Sequence, residues 1–240
     1  TMAAAIETQN GDYEYTDTGE YIVDDAQIHN YGNYAYGTET LSSAYKHSTN
    51  TYFSALAVEK IGENAARNIA ERFCIGEQIE LDFATLSSKI EYDGTDKMLA
   101  FTSFGQGKLQ MSPLHIAMIG QAISNNGEML KPYIISKMTD AKGKTTYIGK
   151  SEKISKATDK KTAEKVYDIA KETAKEKYPN LYKYNVGCKT GTAQLGNGYN
   201  HSYFLCFNDD YTALISINDT TESGGTFSSI MEKIFNEIYS

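Results

Sequence analysis

Three stretches with strand character follow one another closely near the carboxyl end of this 240-residue chain. They cover Val186–Gln194, Ser202–Asn208 and Tyr211–Asn218. Strands joined so closely are expected to pair antiparallel, because a parallel pair needs a crossover of about a dozen residues or more. A helix predicted over Thr226–Tyr239 would place Ile230, Ile234 and Ile238 on one apolar face against that sheet. The chain is therefore predicted to be an α/β protein of the α+β type, an antiparallel sheet with helices packed on it.

The rest of the chain is predicted to be mainly helical. Apolar residues recur at helical spacing in five stretches, around 41–45, 53–61, 66–73, 116–123 and 166–173. Thr38 or Thr40 would cap the first of these helices, and Ser112-Pro113 would start the fourth. Residues 9–37 are rich in Tyr, Asp, Gly and Asn, which predicts an irregular excursion with short strands.

Composition narrows the class of protein. With 40% hydrophobic residues, only three prolines and no linker-like tract, residues 1–240 are predicted to form a single domain. The net charge of −8 argues against a nucleic-acid partner, since phosphate binding needs clustered Lys and Arg. No apolar run approaches the roughly 20 residues that cross a bilayer, and no His/Cys cluster has the spacing of a metal site.

The three cysteines, Cys74, Cys188 and Cys206, are too few and too scattered for a disulfide framework. Cys188 and Cys206 fall in neighbouring predicted strands, so a bridge between them is conceivable. Buried free thiols are the favoured interpretation, because Cys commonly packs as a small hydrophobic side chain.

The first of the three predicted strands carries Lys189-Thr190-Gly191-Thr192, a run that can grip a carboxylate. The Lys supplies charge, the Thr supplies a directional donor, and the Gly lets a substrate backbone lie against the strand. The Lys-Thr-Gly triplet accompanies S-x-x-K and S-x-N motifs in penicillin-binding proteins and serine β-lactamases. Alone, it is equally compatible with an ordinary strand and a polar turn, so its meaning depends on the other motifs.

Three further segments resemble the same family and occur in its order. His47-Ser48-Thr49-Asn50 looks like the S-x-N motif between two helices. Phe104–Gly107 and Met111–Leu114 resemble the Gly-Gln-Gly and Thr-Pro-Leu block of transpeptidase domains. Thr1–Glu7 resembles the stretch directly after S-x-x-K. Over its whole length the chain thus resembles the transpeptidase domain of a penicillin-binding protein, of the monofunctional class B type.

The resemblance implies a serine-type D,D-transpeptidase that cross-links the stem peptides of peptidoglycan and needs no cofactor or metal. In the family a serine attacks the penultimate D-Ala carbonyl, terminal D-Ala leaves, and an amine of a neighbouring stem accepts the acyl group. β-Lactam antibiotics mimic D-Ala-D-Ala and acylate the same serine.

The family's site residues carry over to the matching positions of this chain. Ser48 would relay protons, Asn50 would bind the substrate amide, and Lys189 would hold Ser48 and add positive field. Thr190 and Thr192 would bind the substrate carboxylate. The Thr192 N–H would also form half of the oxyanion hole. Gly191, which lacks a side chain, would leave the acyl group's approach open.

The attacking serine is the missing part. If Thr1–Glu7 follows S-x-x-K, that serine and its Lys lie upstream of Thr1, so we expect a domain incomplete at its N-terminus that forms no acyl-enzyme alone. Ser43-Ala44-Tyr45-Lys46 also reads S-x-x-K. Ser43 is expected to lie on a solvated helix face, because it is only five residues from Ser48 and the family's two motifs lie dozens of residues apart.

Two alternatives stay open at this stage. One is a non-catalytic scaffold or β-lactam sensor on the same fold, and the other is a serine β-lactamase or D,D-carboxypeptidase. Family membership implies the extracytoplasmic face of the cell membrane, with a membrane-tethered parent protein and this fragment itself soluble. Division or elongation partners, stem-peptide specificity, β-lactam affinity and oligomeric state do not follow from the sequence.

Overall fold

The computed structural model, which describes residues 1–240, contains nine α-helices. They are α1 (Met2–Glu7), α2 (Leu41–His47), α3 (Asn50–Leu56), α4 (Glu63–Arg72), α5 (Asp96–Ser103), α6 (Pro113–Ser124), α7 (Lys160–Lys177), α8 (Pro179–Tyr182) and α9 (Ser228–Ile238). A π-helical turn over Ala57–Ile61 continues α3. None of the helices combines the length and the apolarity needed to cross a membrane.

Thirteen strands accompany the helices. They are β1 (Tyr15–Asp17), β2 (Glu20–Val23), β3 (Ala26–His29), β4 (Gly37–Glu39), β5 (Gln78–Glu80), β6 (Thr85–Ser87), β7 (Glu128–Lys131), β8 (Lys137–Thr139), β9 (Thr145–Ile148), β10 (Glu152–Lys156), β11 (Gly187–Gln194), β12 (Asn200–Phe207) and β13 (Thr212–Thr220). Strands β11, β12 and β13 form the main sheet in that order, and every strand pair is antiparallel. The predicted antiparallel sheet is therefore confirmed.

Helices cover both faces of the main sheet. Helices α6 and α7 lie against one face, and α9 lies against the other. The central strand β12 is consequently buried on both sides: Leu205 and Phe207 join the core under α6 and α7, whereas Phe204 and Cys206 join the core under α9. Because β12 side chains alternate between faces, one strand links two separate apolar cores.

Local cap signals set two helix starts that frame the site. Thr40, rather than Thr38, caps α2: the Thr40 hydroxyl accepts the Ser43 N–H at 3.4 Å, and the Ser43 hydroxyl accepts the Thr40 N–H at 2.9 Å. The Ser112 hydroxyl accepts the His115 N–H at 3.2 Å, with Pro113 as the first residue of α6. The predicted start at Ser112-Pro113 is confirmed.

The apolar face predicted for the final helix is wrong. Ile230 and Ile238 are 48% and 37% exposed, whereas Met231 and Phe235 are fully buried against the sheet. The helix begins only at Ser228, after a 3₁₀ turn, and that turn sets which face meets the sheet. Met231 and Phe235, at i and i+4, share one stripe of the helix and join the core beneath it.

A buried carboxylate anchors the excursion over residues 9–37 beside the start of α3. Asp17 is 2% exposed, and its oxygens accept the N–H of Gly19 (2.9 Å) and of Tyr36 (2.7 Å). They also accept the Asn30 amide at 2.8 Å and the Thr51 hydroxyl at 2.7 Å. Four donors compensate the cost of burying the charge. This network ties the β1–β4 strand pair and the β2–β3 hairpin to the helix that follows Ser48.

Candidate active site

Strand β11 forms one wall of the site because it lies at the edge of the main sheet. It pairs with β12 along one side only, which leaves its other side open to an extended ligand. Successive side chains of a strand point to opposite faces, so Lys189 and Gly191 share one face and Thr190 and Thr192 share the other. One face of the triplet thus offers a cation and a bare backbone.

Ser48 lies at the break between α2 and α3. Its backbone is left-handed, with φ 59° and ψ 48°, which ends α2 two residues before α3 begins at Asn50. A non-glycine residue in this conformation costs on the order of 1 kcal/mol, a strain often found at functional sites. The Ser48 hydroxyl accepts a hydrogen bond from Lys189 Nζ, across 141 residues of sequence.

Lys189 is the electrostatic centre of the site. Its Nζ also donates to the Thr190 carbonyl at 2.7 Å and lies 5.5 Å from the centre of the Tyr45 ring. Burial, and secondarily the nearby Lys177 ammonium, lowers the pKa of Lys189 to about 8. The pKa of this amine is therefore much closer to neutral pH than that of an ordinary lysine, as is common for groups at functional sites.

Asn50 is the first residue of α3, and its side-chain amide donates to the His29 carbonyl at 2.9 Å. His29 ends β3, and the next residue, Asn30, belongs to the buried Asp17 network. The position of the Asn50 side chain therefore depends on the excursion over residues 9–37 as well as on α3. A single hydrogen bond holds the amide, which leaves its carbonyl oxygen available to a ligand.

Ser48, Asn50 and Lys189 line the same cavity of about 400 Å³. Its lining is mostly apolar, and Thr1 and Gly105 also contribute to it. Gly105 belongs to the Gly-Gln-Gly segment, which therefore borders the cavity. An apolar cavity with a few convergent polar groups is the usual form of a small-molecule site.

Thr190 and Thr192 do not line this cavity. The Thr190 hydroxyl lies beside the hydroxyl of Tyr178, and the Thr192 hydroxyl accepts the Gly224 N–H at 3.4 Å. A Cβ added at Gly191 would meet only the Tyr203 side chain, at an ordinary 3.6 Å. The packing of the protein therefore tolerates a side chain at Gly191. If glycine is needed at this position, the need comes from a ligand that approaches the strand.

The second S-x-x-K run has a structural role in place of the solvated helix face that the sequence favoured for it. The Ser43 hydroxyl completes the cap of α2 and donates to the Glu39 carboxylate at 2.9 Å. Lys46 Nζ pairs with Glu176 at 2.7 Å. Ser43 and Lys46 thus bind carboxylates, Glu39 and Glu176 respectively, and not each other.

Sequence reasoning missed two contributors to the site. Tyr45, placed only as a helix core residue, lies under Lys189 and donates its hydroxyl to the Cys188 carbonyl at 3.2 Å. His47, for which the sequence indicated no role, bonds through Nδ1 to the buried Glu39 carboxylate at 2.8 Å and stacks on Tyr36 with centroids 4.7 Å apart. Its position next to Ser48 was the only available signal.

Comparisons with known proteins identify the family of this chain. The family model described as penicillin binding protein transpeptidase domain matches residues 1–240. Penicillin-binding protein 3 of Bacillus subtilis (strain 168) is 26% identical over 198 residues, which is 78% of this chain and 29% of that protein. The chain thus spans under a third of that relative's length.

Two solved structures show the same fold. The D,D-transpeptidase domain of a peptidoglycan glycosyltransferase from Eggerthella lenta superposes with a TM-score of 0.86 at 23% identity, over 98% of this chain and 63% of that chain. The penicillin G acyl-enzyme complex of penicillin-binding protein A from M. tuberculosis gives 0.83 at 22% identity, over 98% and 57%. With the family model matched from end to end, this chain belongs to the penicillin-binding protein transpeptidase domain family.

Proposed function

We propose that this chain is the transpeptidase domain of an extracytoplasmic D,D-transpeptidase that cross-links peptidoglycan stem peptides and is acylated by β-lactams. The observation that carries the proposal is the hydrogen bond from Lys189 Nζ to Ser48 Oγ, in a cavity that both residues line and beside β11, an edge strand of the main sheet. A stem peptide ending in D-Ala-D-Ala would lie along that edge as an added strand. Its terminal carboxylate would meet the field of Lys189.

Proton transfer is the task of the Ser48–Lys189 pair. When a serine attacks the penultimate D-Ala carbonyl, the serine loses a proton and the departing D-Ala amine gains one. The Ser48 hydroxyl can pass that proton, since it both donates and accepts, while Lys189 orients it and compensates the developing negative charge. An amine of a second stem then displaces the serine from the acyl group, and the proton that this amine loses passes to the serine oxygen.

The substrate contacts follow from the surrounding residues. Asn50 would bind the substrate amide, and the Thr192 N–H would supply one donor of the oxyanion hole, a contact worth about 3–4 kcal/mol in comparable sites. Thr190 and Thr192 would bind the terminal carboxylate by turning their hydroxyls from Tyr178 and Gly224.

The attacking serine would be supplied by chain that precedes Thr1. In support, Thr1 lines the same cavity as Ser48, Asn50 and Lys189, so a serine a few residues earlier can reach it. The parent protein would be tethered to the membrane outside this segment. On this proposal the 240-residue chain alone is not acylated.

Fluorescent penicillin labelling, followed by gel detection and peptide mapping, tests the proposal. The samples are this chain, and the chain extended by about 20 residues in its parent reading frame, enough for an S-x-x-K motif and its helix cap. We expect only the extended form to be labelled, and Lys189→Ala in that form to slow labelling by about 100-fold or more. Labelling of the short chain at Ser43 would overturn the assignment of the nucleophile. Labelling of neither form would favour a non-catalytic scaffold.

A further inference from the structure

Two of the three cysteines meet inside the main sheet. Cys188 of β11 and Cys206 of β12 are directly opposite each other in the antiparallel register. Their thiols are free, and the two Sγ atoms are 3.0 Å apart. Cys74, by contrast, lies near the end of α4 and is partly exposed. The pairing brings together two residues that are 18 positions apart in sequence.

The strand geometry suits a covalent bond. Directly opposed residues of an antiparallel pair have Cα atoms about 4.5 or 5.5 Å apart, and both values fall within the range of about 4.4–6.8 Å for disulfides. Opposed residues also point to the same face of the sheet, so both sulfurs lie in the core under α9. A bond needs the sulfurs to approach by about 1 Å, to the usual length of about 2.05 Å.

We propose that Cys188 and Cys206 form a disulfide that joins β11 to β12 immediately before Lys189. The oxidant is a disulfide compound, either oxidised glutathione or a thiol–disulfide oxidoreductase. One cysteine thiolate attacks the oxidant's disulfide and releases one thiol, and the second cysteine then attacks the mixed disulfide and releases the other. Two thiol protons and two electrons pass to the oxidant, and one S–S bond forms in the protein.

Burial sets when this reaction occurs. Both cysteines are 0% exposed, and burial together with the neighbouring Cys188 raises the pKa of Cys206. The thiolate is the attacking species, so the closed sheet protects the pair from oxidants and, once bonded, from reductants. Oxidation therefore belongs to folding, before β11 and β12 close over the core.

The bond would stiffen the wall of the site. Lys189, which binds Ser48, directly follows Cys188 in the strand. The Cys188 carbonyl also accepts a hydrogen bond from the Tyr45 hydroxyl. The positions of both Lys189 and Tyr45 therefore depend on the backbone at Cys188. The inference goes beyond the proposed function and does not require acylation, since its test reads only thiols and stability.

The test refolds the chain from urea in a mixture of reduced and oxidised glutathione. Acid quenching, alkylation in denaturant and intact mass measurement then count the free thiols. We expect one alkylated thiol, Cys74, a mass 2 Da lower before alkylation from the loss of two hydrogens, and a linked pair of peptides holding Cys188 and Cys206. Three alkylated thiols, or a link that involves Cys74, would overturn the proposal.

Two variants and a melting curve complete the test. Cys74→Ser should leave no thiol to alkylate, whereas Cys206→Ala should leave two. The oxidised chain should melt about 6–12 °C higher than the chain refolded under dithiothreitol, the size expected for a closed loop of this length in a protein of this size. Equal melting temperatures for the disulfide-bonded and the reduced sample would refute the claim that the bond stabilises the pairing of β11 with β12.

Discussion

Replacing Lys189 by Met should change how the stability of this chain depends on pH. The pKa of Lys189 falls from 10.5 to about 8 on folding, chiefly because the ammonium is desolvated. The folded state therefore holds the proton less tightly than the unfolded state. Folding is penalised below pH 8, and the penalty disappears as the pH rises from 8 to 10.5. Met fills a similar volume and has no charge to bury.

The pKa difference sets the magnitude. A change of about 2.5 in pKa, at about 1.4 kcal/mol for each unit, gives a penalty of about 3 kcal/mol at pH 7. The Met variant escapes it but loses the hydrogen bonds to Ser48 and to the Thr190 carbonyl, each worth about 1 kcal/mol. We expect the variant to be about 1 kcal/mol more stable than the parent at pH 7, and about 1–2 kcal/mol less stable at pH 10.

Urea unfolding of both proteins between pH 7 and pH 10 measures this difference directly. Other titrating groups are common to both chains and cancel, so the difference should move by about 2–3 kcal/mol across the range. Lys165→Met, at an exposed lysine of α7, is the matched control and should show no such movement. A Lys189→Met difference constant to within about 0.5 kcal/mol would refute the argument that burial destabilises the Lys189 ammonium.

Three further substitutions test other parts of the site. Gly191→Ala should fold with a melting temperature within about 2 °C of the parent, because its Cβ meets only Tyr203 at 3.6 Å. In the extended form it should reduce penicillin labelling at least about tenfold, and unchanged labelling would show that the strand edge is not used. Asp17→Ala should destabilise the chain by about 3–5 kcal/mol in urea unfolding, since four donors, three of them on buried residues, lose their acceptor; a loss under 1 kcal/mol would contradict the anchoring role. Ser43→Ala should cost about 1 kcal/mol of stability through the α2 cap and leave labelling of the extended form unchanged. Abolished labelling would instead make Ser43 the nucleophile.

The features that could be predicted from sequence are those with local causes. The antiparallel sheet follows from strands joined too closely for a crossover, and the start of α6 follows from a Ser hydroxyl placed before Pro113. The order of the motifs identified the family, because each motif is a short run of residues that can be recognised without the rest of the structure. Ser48, Asn50 and Lys189 were located in this way without any knowledge of their distances.

Some features depend on residues that are distant in sequence, and only the tertiary structure determined them. The face that α9 buries depends on the 3₁₀ turn before it and on the space beneath it, so Met231 and Phe235 are buried in place of the Ile stripe. The family resemblance already predicts contact between Lys189 and Ser48, 141 residues apart, but the lowered pKa of Lys189 arises from burial in the packed chain, which no local pattern encodes. A sequence states which groups are present, but desolvation and proximity are properties of the packed chain, and they determine what those groups can do.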